Sequence, residues 1–138
     1  MTTREQFNEI LPKVSFDTQA ITTDTTTVGN IIDTQGFSSA TFSAQSGTLT
    51  DGTFTRLIEE GDDAGLSDAS DVADQDLTTT EADASFAAAD DDAIKRIGYT
   101  GSKRFIRESW VSTGTSSGGT ISGQILLGIP NTSPVDGN

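Results

Sequence analysis

A chain of 138 residues has room for one domain with its own apolar core. It contains no cysteine and no histidine, which removes disulfides, thiolate and imidazole metal sites, cysteine nucleophiles and imidazole general bases. A net charge of −13 sets the surface against duplex nucleic acid and anionic membranes.

No segment approaches the roughly 18 apolar residues of a membrane-spanning helix, and the N-terminus lacks a basic-then-apolar signal pattern. The expectation is a soluble chain made in the cytoplasm. Abundant Gly, Thr, Ser and Asp favour short strands and turns over long helices.

In chain order, residues 1–16 stand apart. Phe7, Ile10 and Leu11 share an i, i+3, i+4 spacing, Thr3 and Gln6 form a potential capping box, and Pro12 ends the pattern. The segment reads as a short amphipathic helix on its own domain or as an arm, with Phe16 at its end, reaching a neighbour. A sandwich domain is then expected over 17–130, with a loose polar tail over 131–138. Within 18–33 a Thr-rich run carries Val28, Ile31 and Ile32, broken by Gly29-Asn30. Residues 37–44 alternate, with Ala40 and Phe42 on one face.

Asp51-Gly52 is a hairpin-type turn signal. Residues 53–60 form a strand with Phe54 and Arg56 on one parity, Leu57 and Glu59 on the other. Thirteen carboxylates fall between Glu59 and Asp92 with no Lys or Arg among them. Leu66, Val72, Leu77 and Phe86 are spaced to pin this acidic excursion to the core. A loop of that length is uncommon, so a short strand or helical turn is expected near 83–89. Strands over 93–100, 103–113 and 120–129 complete the chain, the last ended by Pro130. About seven or eight short strands indicate an all-β fold, a single β-sandwich of jelly-roll-like type, with immunoglobulin-like order left open.

Little in the chain carries chemistry. There is no phosphate loop or dinucleotide fingerprint. Paired carboxylates keep glycosidase chemistry formally open, but one Trp and one Tyr offer little surface for stacking sugars. Asp68, Asp71, Asp74 and Asp76 crowd one segment as hard cation ligands would. They lack the central glycine and terminal glutamate of an EF-hand, and a solvated acidic loop is the simpler reading. Neither an enzyme, a metal nor a cofactor is expected. Lys95, Arg96, Lys103, Arg104 and Arg107 fall within thirteen positions on two consecutive strands. They either pair with Glu59, Glu60 and the acidic loop or form a stripe that docks on an acidic partner. Trp110, on the same strand, is a core residue or an interface anchor. Phe105 and Val111 share one parity, Ile106 and Trp110 the other, so the inward face of that strand is ambiguous.

Two stretches, TLTDGTFTRLIEEGDDAGLSDASDVADQDL and IKRIGYTGSKRFIRESWVSTGTSSGGTISGQILLGIP, resemble a family of small virion proteins of tailed phages and prophages. The shared pattern is a DGTFT strand running into an acidic EE/ES-D-D turn, a DL segment, an R-I/V-G-Y-x-G-x-K-R-Y/F-V/I-R hairpin, a Gly/Thr loop and an apolar strand ending in LG-x-P. The likeness spans about 21–130, and GY-x-G-x-KRF is its most specific part. Residues 1–16 lie outside it, and Glu108 and Ser109 stand where an apolar run is usual.

The resemblance implies a capsid decoration (cement) protein on the virion exterior. Its partners would be the major capsid protein and neighbouring copies of itself, in a trimer or a dimer, without nucleic acid or membrane. Contacts would then come from Phe7, Ile10, Leu11 and Phe16 of the arm, the five basic residues and Trp110. The alternative is a tail or baseplate module that binds host glycan or another tail protein.

Overall fold

Period-two alternation of apolar and polar residues shapes the described residues into ten strands. These are β1 Leu11–Ile21, β2 Thr26–Val28, β3 Ile32–Asp33, β4 Phe37–Leu49, β5 Thr53–Gly61, β6 Ser70–Asp71, β7 Phe86–Ala87, β8 Ile94–Tyr99, β9 Phe105–Thr113 and β10 Gly119–Pro130. In β4 the inward residues are Ala40, Phe42, Ala44 and Ser46, and in β5 they are Phe54, Arg56 and Ile58. The computed structural model describes residues 5–132. Residues 133–138 of the expected tail, and 1–4 of the expected arm, lie outside the described residues.

Two antiparallel sheets face each other. The first runs β1-β10-β4-β8. In the second, β9 and β5 are central; β2 and β3 lie end to end along the far side of β9, and β6 and β7 along the far side of β5. Counting each interrupted edge strand once gives eight strands. Their first-to-last pairing and repeated crossing between sheets are those of a jelly roll, which settles the order that composition left open.

Two turns differ from expectation for the same reason. Asp51-Gly52 joins β4 to β5, and the GYTGSKRF stretch joins β8 to β9; in each case the two strands lie in opposite sheets. Neither is a hairpin. Each spans the roughly 10 Å between sheets, with a local turn chemistry that serves both purposes. Gly52 takes φ +93°, as such a corner requires. The Asp51 carboxylate accepts N–H bonds from Ser116, Ser117 and Gly118 and the Ser116 hydroxyl, tying this corner to the β9–β10 loop.

The N-terminal helix is also corrected. Gln6 O accepts the N–H groups of Glu9 and Ile10 in a single turn, and from Leu11 the chain is strand. Pro12 sits inside β1, tolerated because β1 is a sheet edge where a missing N–H costs little. The boundary drawn at 16/17 therefore falls within a strand, and 11–16 belong to the sandwich.

The acidic excursion is pinned as its apolar spacing implied: Leu66, Val72, Leu77 and Phe86 are all buried. Phe86–Ala87 supplies the short strand expected near 83–89.

The core forms two clusters, one around Phe42, Ile58, Ile97, Ile106 and Ile125, the other around Phe16, Phe54, Phe86, Trp110 and Ile121. At their junction lies a charged pair. Arg56 Nε is 3.2 Å from Glu108 Oε2, both side chains being fully inaccessible. Arg56 Nη2 donates to Lys95 O at 3.3 Å, its guanidinium lies 4.8 Å from the Trp110 ring centroid, and Glu108 Oε1 accepts the Ser15 hydroxyl. Burial pushes the Glu108 carboxyl up and the Arg56 guanidinium down, and their mutual attraction offsets only part of this. A Cβ at Gly123 would collide with Glu108 Oε1, so the chain must be bare there for the carboxylate to fit.

Candidate interaction surface

The side chains singled out from the sequence scatter. Phe16 and Trp110 are fully buried. Trp110 stacks on Phe86, with ring centroids 5.2 Å apart and planes at 20°. Both lie inside the sandwich with no exposed surface, which corrects the interface role expected for both. Parity explains it: Ile106, Glu108 and Trp110 point between the sheets, whereas Phe105 and Val111 point outward. Phe7 is 65% exposed, and Ile10 and Leu11 are half-buried.

The basic residues do not make one stripe. Lys95 and Arg96 belong to β8 in the first sheet, Arg104 and Arg107 to the β9 side in the second, and Lys103 to the connection between them. Lys103 pairs with Asp62, Arg107 with Glu59 at 2.9 Å, and Lys95 with Asp90 at 3.7 Å. Arg104 makes two 2.8 Å bonds to Asp33. Exposed pairs of this kind add little to stability, and they leave no free stripe for a partner. Arg96 alone of the five has no ion pair among the described residues.

The bidentate pair gives a pH dependence. Hydrogen bonding from Arg104 lowers the Asp33 carboxyl to about 2. A depressed folded-state value means the stabilisation is complete above the unfolded value of 3.8 and is lost as pH falls toward 2. Asp33→Asn should therefore lower the urea midpoint at pH 7, and the gap to the wild type should close between pH 4 and 2. A gap that stays constant over that range would show the pair to be energetically idle.

The more distinctive surface is one that the motif reading passed over. Register places Val14, Gln124, Ser43 and Arg96 in one row across the outer face of the first sheet, with Ser122, Gln45 and Ile94 in the next. Val14 is 58% exposed and Ile94 65%. They flank a shallow depression of ≈ 270 Å³ lined also by Thr18, Ser43, Gln45 and Gln124. The four strands of this sheet hold a single carboxylate, Asp17, which accepts a hydrogen bond from Asn30. β4 and β10 contain no charged residue at all. That was the available signal: two long uncharged strands in a chain of net charge −13.

The acid lies elsewhere. Asp68 accepts N–H groups of Asp62 and Asp63, and Asp63 those of Gly65 and Ser67, so these carboxylates organise their own loop. Asp71 is on β6, and Asp74 and Asp76 are in a 3-10 turn. Among the described residues no three carboxylates converge as a metal site would require.

No family model matches the chain, and no curated protein does. Among solved structures it is similar to the crystal structure of PBSX exported protein XepA, with 16% sequence identity and a TM-score of 0.49. The match covers 93% of this chain and 40% of that one.

Proposed function

We propose that the protein is a non-catalytic structural component of a tailed-phage virion, seated on the capsid exterior, where it stabilises the shell by bridging major capsid subunits. The observation that supports this reading is the segregation of charge. A broad sheet face built on the uncharged strands β4 and β10, with protruding Val14 and Ile94, lies on a molecule whose carboxylates, Asp17 apart, sit outside the strands of that sheet. A face of that kind loses little hydration when it seats on a protein surface, while the acidic remainder keeps a densely coated particle soluble. The likeness of the DGTFT and GYTGSKRF stretches to tailed-phage virion proteins favours this reading. Weak individual contacts suffice, because copies bound to one lattice that also touch each other hold by avidity.

Docking therefore shifts from the basic residues to the outer face of β1, β10 and β4. Purified shells titrated with Val14→Asp/Gln124→Glu protein should show occupancy reduced at least about tenfold, since new carboxylates would be desolvated at the contact. Asp71→Asn/Asp74→Asn protein, altered on the acidic side, should saturate shells as the wild type does. Equal saturation by the first variant would remove this face from the interface. Hundreds of copies per particle are expected by quantitative mass spectrometry, and about six to a few dozen would place the protein on the tail.

A further inference from the structure

We propose that two copies of the chain associate edge to edge through β8, pairing antiparallel about a twofold axis at Ile94, with Arg96 of each copy against Asp92 of the other. β8 borders the first sheet and is capped over only half its length. Gly98 N–H donates to Thr78 Oγ1 at 2.8 Å, Gly98 O accepts Thr78 N–H at 3.0 Å, and Thr100 N–H donates to Asp76 O at 2.8 Å. The two-residue repeat of an antiparallel strand turns the same main-chain groups outward at Arg96 and Ile94, where no described residue meets them.

Strand edges are ordinarily shielded. This one presents an Ile that is 65% exposed. Beside it runs a groove of ≈ 590 Å³, bounded by Thr78, Thr79 and Asp83 on one side and β8 on the other, which gives a second strand room to approach.

The occupant follows from the charges that flank Ile94. Read about that residue, the segment Asp92-Ala93-Ile94-Lys95-Arg96 carries opposite charges two positions away on either side. A strand of this pattern is complementary to itself when turned antiparallel, because Arg96 then falls opposite Asp92 at both ends of the contact. Both residues are exposed, and neither side chain has an ion pair or hydrogen bond among the described residues. The carboxylates just before them are taken: Asp90 meets Lys95 at 3.7 Å, and Asp91 accepts the Leu49 N–H at 2.7 Å.

The register is the one that main chain and charge both accept. At Ile94 the outward N–H and C=O of each copy meet the C=O and N–H of the other, and the two Ile side chains cover one another on the outer face. An axis through Lys95 would also match the open main-chain groups, but it sets two lysines side by side, and an axis at Arg96 sets two arginines. With the axis at Ile94, Lys95 falls opposite Ala93 and keeps its own Asp90. Asp92 takes φ +50° and gives its N–H to Gly47 O, so the chain leaves the strand path there and the second strand stops short of the Thr78 cap. A twofold contact is closed at two copies, and this one joins two four-stranded sheets into a single sheet with their charge-poor outer faces side by side.

The test uses the isolated full chain, so it stands or falls apart from shell binding. In analytical ultracentrifugation from about 10 μM to about 1 mM, the wild type should pass from monomer to dimer. Arg96→Asp protein and Asp92→Arg protein should each associate at least about tenfold more weakly, because like charges then meet at the contact. Mixed in equal amounts they should form a dimer, since each pair at the contact is again of opposite sign. The absence of native cysteines allows a second measurement that needs neither variant. Opposed Ile94 positions lie about 5.5 Å apart between Cα atoms, within disulfide range. Ile94→Cys protein should therefore oxidise to a linked dimer at least about tenfold faster than Val14→Cys protein, whose site is comparably exposed on the opposite border of the sheet. A wild type that stays monomeric throughout, a mixture of folded variants that associates no better than its components, or cross-linking no faster than that of the Val14→Cys control overturns the proposal.

Discussion

Replacing Glu108 by leucine alone should cost about 3–5 kcal/mol of folding stability, and replacing Arg56 by methionine as well should recover most of it. The single change leaves a guanidinium in a site with no access to water and removes the counter-charge in direct contact with it. Arg56 would keep Lys95 O and the Trp110 ring as neighbours, neither of which carries a full negative charge. The double change removes both charges and fills the same volume with apolar atoms. A residual cost of about 1 kcal/mol is expected because the Ser15 hydroxyl loses its acceptor at Glu108 Oε1. Urea unfolding of the four proteins of this cycle measures the coupling directly. If Glu108→Leu lies within about 1 kcal/mol of the wild type, the pair does not share a dry interior site.

Trp110→Ala should cost about 3–5 kcal/mol, the range for deleting a large buried aromatic side chain. The ring is fully buried, stacks on Phe86 and lies beneath the Arg56 guanidinium, so its removal opens a cavity beside a buried charge. The effect belongs to folding: whatever remains folded should bind its partners as before. Trp110 is the one tryptophan of the chain, and intrinsic fluorescence therefore reports its surroundings without ambiguity. Native protein should emit as a shielded indole and shift to the red on unfolding. A native spectrum of solvated indole would return Trp110 to the surface.

Fold class and strand positions were legible in the sequence because alternation and Gly/Pro punctuation are local. Strands expected over 53–60, 103–113 and 120–129 are found at Thr53–Gly61, Phe105–Thr113 and Gly119–Pro130. Turn geometry was less so, since Asp51-Gly52 has the same chemistry whether the next strand pairs with the last or crosses to the facing sheet. Of the two readings of the basic residues, pairing with Glu59 and the acidic loop holds for Arg107, Lys103 and Lys95. Arg104 instead meets Asp33, 71 positions away, a separation invisible to spacing. Parity in β9 was ambiguous because both sides of that strand are covered. Phe105 on the outer side is 9% exposed with the Arg104 guanidinium 4.9 Å from its ring centroid, and Ser109 is fully buried. The charge-poor outer face was legible in principle. It emerges from what β4 and β10 lack, and no motif marks an absence.

The position of β10 has a consequence for biogenesis. The last strand among the described residues, β10, is an interior strand of the first sheet, with β1 on one side and β4 on the other. Until residues 119–130 have emerged from the ribosome, β1 has no strand to pair with and β4 presents an open flank. Folding of the first sheet is therefore deferred until β10 has been made, and closure joins strands far apart in sequence, which slows it relative to a fold of local contacts. A chain released early, short of its final strand, holds both flanks of a sheet without the piece that joins them.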